Sequence, residues 1–130
     1  MRIIGHGIDL VDNARLAGMI EAHGERFLDR VFSPAERALA QDLRHKLEYY
    51  SGRFAAKEAV LKALGTGFSG GVSWTEIEVL RAPSGQPGVR LGGRCLEVAR
   101  GLGVEEWQIS ISHISTHATA SAIAIGSDNR

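Results

Sequence analysis

Residues 46–65 read KLEYYSGRFAAKEAVLKALG, and this run organises the rest of the chain. It lacks proline, it is rich in strong helix formers, and Gly65 supplies a stop. The pattern predicts the longest helix of the chain over Lys46 to Leu64. At about 100° per residue, Phe54, Leu61, Leu47 and Tyr50 form an apolar stripe. Glu58 lies at one edge of the stripe with Lys62 one turn further on, and Arg53 and Lys57 flank the other edge.

Working outward, Ile3 to Val11 reads as a strand with Ile4, Ile8 and Leu10 on one face. Ile3, Gly5, Gly7, Asp9 and Val11 lie on the other. Glycine inside a strand marks close approach of another backbone or a ligand, so Asp9 projects beside open space. A helix capped by Asp12 or Asn13 runs to Gly24, and a short segment spans Arg26 to Val31. Ser33-Pro34-Ala35-Glu36 starts another helix with a capping box, fading near Leu43. Beyond the long helix, Trp74 to Leu80 alternates as a strand and turns through residues 82–88 into Val89 and Leu91. A helix from Gly93 to Leu102 precedes two strands, Trp107 to Ile114 and His117 to Ile125. Helices and strands do not alternate regularly, so the class is α+β, a mostly antiparallel sheet with helices packed on one side.

The chain has 130 residues, 44% of them hydrophobic, which predicts one domain over 1–130. Fifteen basic and fifteen acidic residues balance, so no global field marks a nucleic-acid or membrane-surface binder. The single cysteine, Cys95, reads as a packing residue in a reducing cytosol. The N-terminus lacks signal-peptide features and no run of apolar residues is long enough to span a membrane. A soluble, cytoplasmic protein is expected.

Glu58 and Lys62, four apart, read either as a surface ion pair or as part of a site. Three cations within ten residues of one helix suit a phosphate-rich ligand, and the Gly-rich stretch Thr66 to Gly71, also the expected mobile element, adds weaker support. Asp9 is either a helix-capping residue or a second carboxylate, and Asp plus Glu with open positions is how Mg²⁺ is held beside phosphates. Mn²⁺ suits the same oxygens. His113 ends the row Trp107, Ile109, Ile111, either as a strand-end histidine or as a phosphate contact or proton donor. The other histidines form no metal spacing, and Gly-x-Ser-x-Gly, Cys–His and Walker patterns are absent from the sequence.

Three segments together resemble the holo-acyl-carrier-protein synthase family: GIDLV at 7–11, RFAAKEAVLKALGTG at 53–67 and ISISH at 109–113. The middle segment is the specific one. The resemblance implies the 4'-phosphopantetheinyl transferase fold and a homotrimer with coenzyme A in clefts between subunits. It further implies Mg²⁺ on Asp9 and Glu58, and Lys62 beside the reacting phosphate. Arg53, Gly65, Thr66 and His113 match positions near coenzyme A, while Arg15, Arg26 and Arg30 match the basic positions that meet an acidic acyl carrier protein. Ile114 and His117 depart from the family pattern after the histidine, and Gly70-Gly71 lengthens the loop.

The implied reaction moves 4'-phosphopantetheine from coenzyme A to a carrier serine, releasing adenosine 3',5'-bisphosphate and supplying holo carrier for fatty acid biosynthesis. Catalysis would fall to Asp9, Glu58 and Lys62. The serine proton would pass to Glu58 or to a water on the metal. A Mg²⁺-dependent nucleotide pyrophosphatase and a non-catalytic coenzyme A or carrier-binding module are the rivals. In the final hairpin Ala118, Ala120, Ala122 and Ala124 share a face, which suits close packing by another subunit or by an intramolecular helix.

Overall fold

The computed structural model describes residues 1–65 and 71–128. Strand β1 (Arg2–Asp12) leads into helices α1 (Asn13–His23), α2 (Glu25–Val31), α3 (Pro34–Gln41) and α4 (Lys46–Leu64). A 3₁₀ turn, Trp74–Glu76, precedes the hairpin of β2 (Ile77–Arg81) and β3 (Pro87–Leu91). Helix α5 (Gly93–Leu102) and strands β4 (Val104–His113) and β5 (His117–Gly126) complete the chain. One sheet has the order β1-β5-β4 and the other is β2-β3, with every pairing antiparallel. The α+β class expected from the sequence is the one observed.

Two local departures have physical causes. Trp74–Glu76 is a 3₁₀ turn rather than the start of a strand, because Glu76 is engaged in capping. Its carboxylate accepts from Ser73 N (3.2 Å), Arg94 N (3.2 Å) and Cys95 N (3.1 Å), tying the turn to the start of α5. Helix α4 has no single apolar stripe: Ser51, Gly52, Arg53, Ala55, Ala56, Lys57, Ala59 and Val60 are buried as well. It is the central helix, packed on the large sheet on one side and against α1, α3, α5 and β2 on others.

Glycine and alanine set the distance between α4 and the sheet. A Cβ on Gly5 would lie 2.0 Å from the Ala63 carbonyl oxygen, and one on Gly7 would lie 1.9 Å from that of Ala59. The glycines admit the helix backbone, not a ligand. Register pairs Gly7 with Ala122, Asp9 with Ala120 and Val11 with Ala118, so the alanine row of β5 shares this face and is buried. The intramolecular-helix reading of those alanines therefore holds. On the opposite face Ile8 and Leu10 are 60% and 66% exposed.

Candidate active site

The end of β1 and the middle of α4 meet because the two elements lie antiparallel in close contact. After Gly5 and Gly7 the next residue on that face is Asp9, and Lys62 and Glu58 immediately precede Ala63 and Ala59 on the helix. Asp9, Leu10, Val11, Asp12, Arg15, Leu16, Met19, Phe54 and Glu58 line a cleft of about 350 Å³. The Thr119 hydroxyl donates to the Asp9 carbonyl (2.8 Å), pinning the strand at this point.

Lys62 does not pair with Glu58, as helical spacing alone suggests. Its Nζ donates to Asp9 Oδ1 and to the Ile8 carbonyl, each at 3.0 Å. Glu58 has neither a hydrogen bond nor an ion pair among the described residues, and its proton affinity is raised, first by burial and then by the charge of Asp9, with Lys62 opposing. Of the three carboxylates lining the cleft, Asp12 caps α1, Asp9 holds Lys62, and Glu58 has no partner among the described residues; Asp9 and Glu58 fit a hard divalent cation. Among the described residues no third Asp, Glu, His or Cys joins them. That leaves the other coordination positions to water and phosphate, which is the usual manner of Mg²⁺.

Lys57 is not a phosphate cation. It points away from Glu58 into the core, with its side chain 0% exposed, and pairs with Glu36 at 2.7 Å. It also donates to the carbonyls of Trp74 and Ile77. Arg53, one turn earlier on the same side, is buried as well, stacked 4.0 Å over the Tyr49 ring. Its Nε has no partner among the described residues. The Gly65 amide is occupied by the carbonyls of Leu61 and Lys62 at the αL cap of the helix. Thr66 and the Gly-rich stretch up to Gly70 lie outside the described residues.

His113 lies at the far end of α4, its Nδ1 4.0 Å from Glu48. Ten helical positions separate Glu48 from Glu58, about 15 Å, so within one chain His113 does not join the Asp9 cleft. Arg15 lines the cleft, whereas Arg26 and Arg30 are exposed on α2. None of the three arginines forms an ion pair among the described residues. The sequence reading missed the apolar wall of Leu16, Met19 and Phe54. Phe54 stacks on Trp74 at 5.0 Å between ring centroids, a contact across 20 positions that no local periodicity signals.

The family model of the 4'-phosphopantetheinyl transferase superfamily matches residues 5–123. A holo-[acyl-carrier-protein] synthase of Koribacter versatilis is 45% identical over 121 residues, covering 93% of this chain and 97% of the relative. The solved holo-[acyl-carrier-protein] synthase of Neisseria meningitidis superposes with a TM-score of 0.89 at 29% identity, covering 95% of this chain and 99% of that one. That of Bacillus anthracis, in complex with coenzyme A (3',5'-ADP), gives 0.80 at 32% identity, with 96% and 98% covered.

Proposed function

This chain belongs to the holo-acyl-carrier-protein synthases of the 4'-phosphopantetheinyl transferase superfamily, and from that premise we propose that the cleft between Asp9 and Glu58 is its catalytic centre. The chain is an enzyme that transfers 4'-phosphopantetheine from coenzyme A to a serine of an acyl carrier protein, releasing adenosine 3',5'-bisphosphate. Family membership sets aside the pyrophosphatase and the non-catalytic binding module. The observation that carries the catalytic assignment is the convergence of Asp9, Glu58 and Lys62 from β1 and α4.

In the transfer, the serine oxygen bonds to the β-phosphorus as the bond from that phosphorus to the bridging oxygen breaks. The bisphosphate leaves with the bridging oxygen. Such chemistry depends on positioning and charge neutralisation. Asp9 and Glu58 would hold Mg²⁺ or Mn²⁺, which would supply Lewis-acid polarisation of the pyrophosphate. Lys62 stabilises the charge growing on the leaving oxygen, and Glu58, directly or through a water, receives the serine proton. The wall of Leu16, Met19 and Phe54 offers an apolar surface beside the reacting groups.

The remaining assignments rest on the same reading. Arg53, Gly65, Thr66 and His113 contact coenzyme A, the first only after its buried guanidinium turns outward and Gly65 without its capped amide. The distance of His113 from Glu58 supports a site completed by a neighbouring subunit, and the exposed Ile8 and Leu10 support a homotrimer built on the open sheet face. Arg15, Arg26 and Arg30, without ion pairs among the described residues, support docking of an acidic carrier. One continuous hydrophobic cluster and the match over 5–123 support a single transferase domain over 1–130. Among the described residues no helix is long and apolar enough to cross a membrane, and we place the enzyme in the cytoplasm, supplying holo carrier to fatty acid biosynthesis.

Intact mass spectrometry of an apo carrier incubated with enzyme, coenzyme A and Mg²⁺ tests the centre. Wild type adds one phosphopantetheine, and Asp9→Asn or Glu58→Gln adds none on the same timescale. Near-wild-type turnover by either variant at low Mg²⁺ would move the metal elsewhere.

A further inference from the structure

Lys62 spends two of its three ammonium donors on β1, one on Asp9 Oδ1 and one on the Ile8 carbonyl. The Asp9 side chain is only 17% exposed, whereas that of Lys62 is 54% exposed. A largely enclosed carboxylate is thus neutralised by a half-solvated cation. Glu58 has no such partner among the described residues. A divalent ion shared by Asp9 and Glu58 requires lone pairs of the same Asp9 carboxylate and repels an ammonium held against it.

We propose that Lys62 is a placeholder cation that competes with the metal for Asp9 and is displaced from β1 when the metal binds. Displacement frees its ammonium for the coenzyme A phosphates, so one lysine serves the empty and the loaded site in turn. This inference rests on the metal reading given above. It adds a coupling: by linkage, whatever draws Lys62 off Asp9 also tightens the metal, so phosphate and metal favour each other's binding.

Titration of Mn²⁺ without coenzyme A, followed by the electron paramagnetic resonance of the free ion, tests it on wild type, Lys62→Met, Arg15→Met, Asp9→Asn and Glu58→Gln. Lys62 is exposed enough for methionine to leave the fold intact. Arg15→Met is the field control, since it removes a charge from the same cleft without removing a bond to Asp9. Competition predicts Mn²⁺ binding about fivefold tighter in Lys62→Met and less than about twofold tighter in Arg15→Met. Equal tightening in both, or none in Lys62→Met, overturns the competition. If Asp9→Asn and Glu58→Gln lose Mn²⁺ while Lys62→Met is unchanged, only the competition falls. If those two bind Mn²⁺ as wild type does, the metal assignment falls and the competition with it.

Discussion

Lys57 Nζ lies 2.7 Å from Glu36 Oε1 with both side chains sealed from solvent, although Lys57 is the immediate neighbour of Glu58 on α4. Glu36 also accepts from the amides of Ser33 (2.9 Å) and Val79 (2.8 Å), so this pair joins α3, α4 and β2. Burial lowers the Lys57 pKa, with Glu36 opposing. Lys57→Met strands the Glu36 carboxylate in the core and should cost about 3–5 kcal/mol, whereas joint replacement with Glu36→Gln, which removes the buried charge and keeps an acceptor for one of the two amides, should recover part of that loss. Urea unfolding of the three proteins checks this. Wild-type stability in Lys57→Met, with coenzyme A binding lost, would return Lys57 to the phosphate site.

Glu58 separates stability from activity. Its folded pKa is raised, so its contribution to stability is full below the unfolded carboxylate value and is lost as pH rises through the folded one. In metal-free protein, Glu58→Gln should therefore melt a few degrees above wild type at neutral pH and show no such advantage at pH about 4. Transfer should fall at least about a thousandfold. Thermal melts across this range, paired with turnover assays, test both halves.

Gly7 is where α4 and β1 come closest. Gly7→Ala forces a Cβ against the Ala59 carbonyl at 1.9 Å and should destabilise by about 1–3 kcal/mol or more. Turnover should drop with it, because Asp9 and Glu58 sit on the two elements being pushed apart. Gly18→Ala, on exposed α1 with nothing within 4 Å of the added carbon, should instead be neutral or stabilising by up to about 1 kcal/mol. Chemical denaturation of both variants provides the comparison.

Arg15 lines the Asp9–Glu58 cleft and is exposed without an ion pair among the described residues. Arg15→Glu should weaken carrier binding while leaving coenzyme A affinity nearly unchanged. Wild-type carrier binding and its association rate should fall with added salt. Equal losses of carrier and coenzyme A affinity, measured by calorimetry, would count against a carrier-facing role.

His113 lies against Glu48, about 15 Å along α4 from Glu58, which makes subunit complementation informative. Inactive Glu58→Gln and impaired His113→Ala chains, mixed through dissociation and reassembly, should recover activity above either alone if neighbouring subunits share a site. Native mass spectrometry verifies the exchange. Complete exchange without recovery would count against a site shared between subunits.

The helices were legible in the sequence because their signals are local. The Ser33–Glu36 capping box, the Asp12 cap and the Gly65 stop are set by contacts within one turn, and the structure reproduces all three. The family was legible as well, through the segment at 53–67. What periodicity could not decide was which way each charge on α4 points, because that helix is buried on nearly every side. Lys57 turns to Glu36, 21 positions away, and Lys62 turns to Asp9, 53 positions away. Only the tertiary structure chose those partners: burying the Lys57 ammonium demands a carboxylate within reach, whatever its distance along the chain, and the exposed Lys62 meets Asp9 because Gly5 and Gly7 bring β1 against α4. The glycines of β1 follow the same logic: the sequence announced a close approach, and the packing of α4 decided that a helix, not a ligand, makes it.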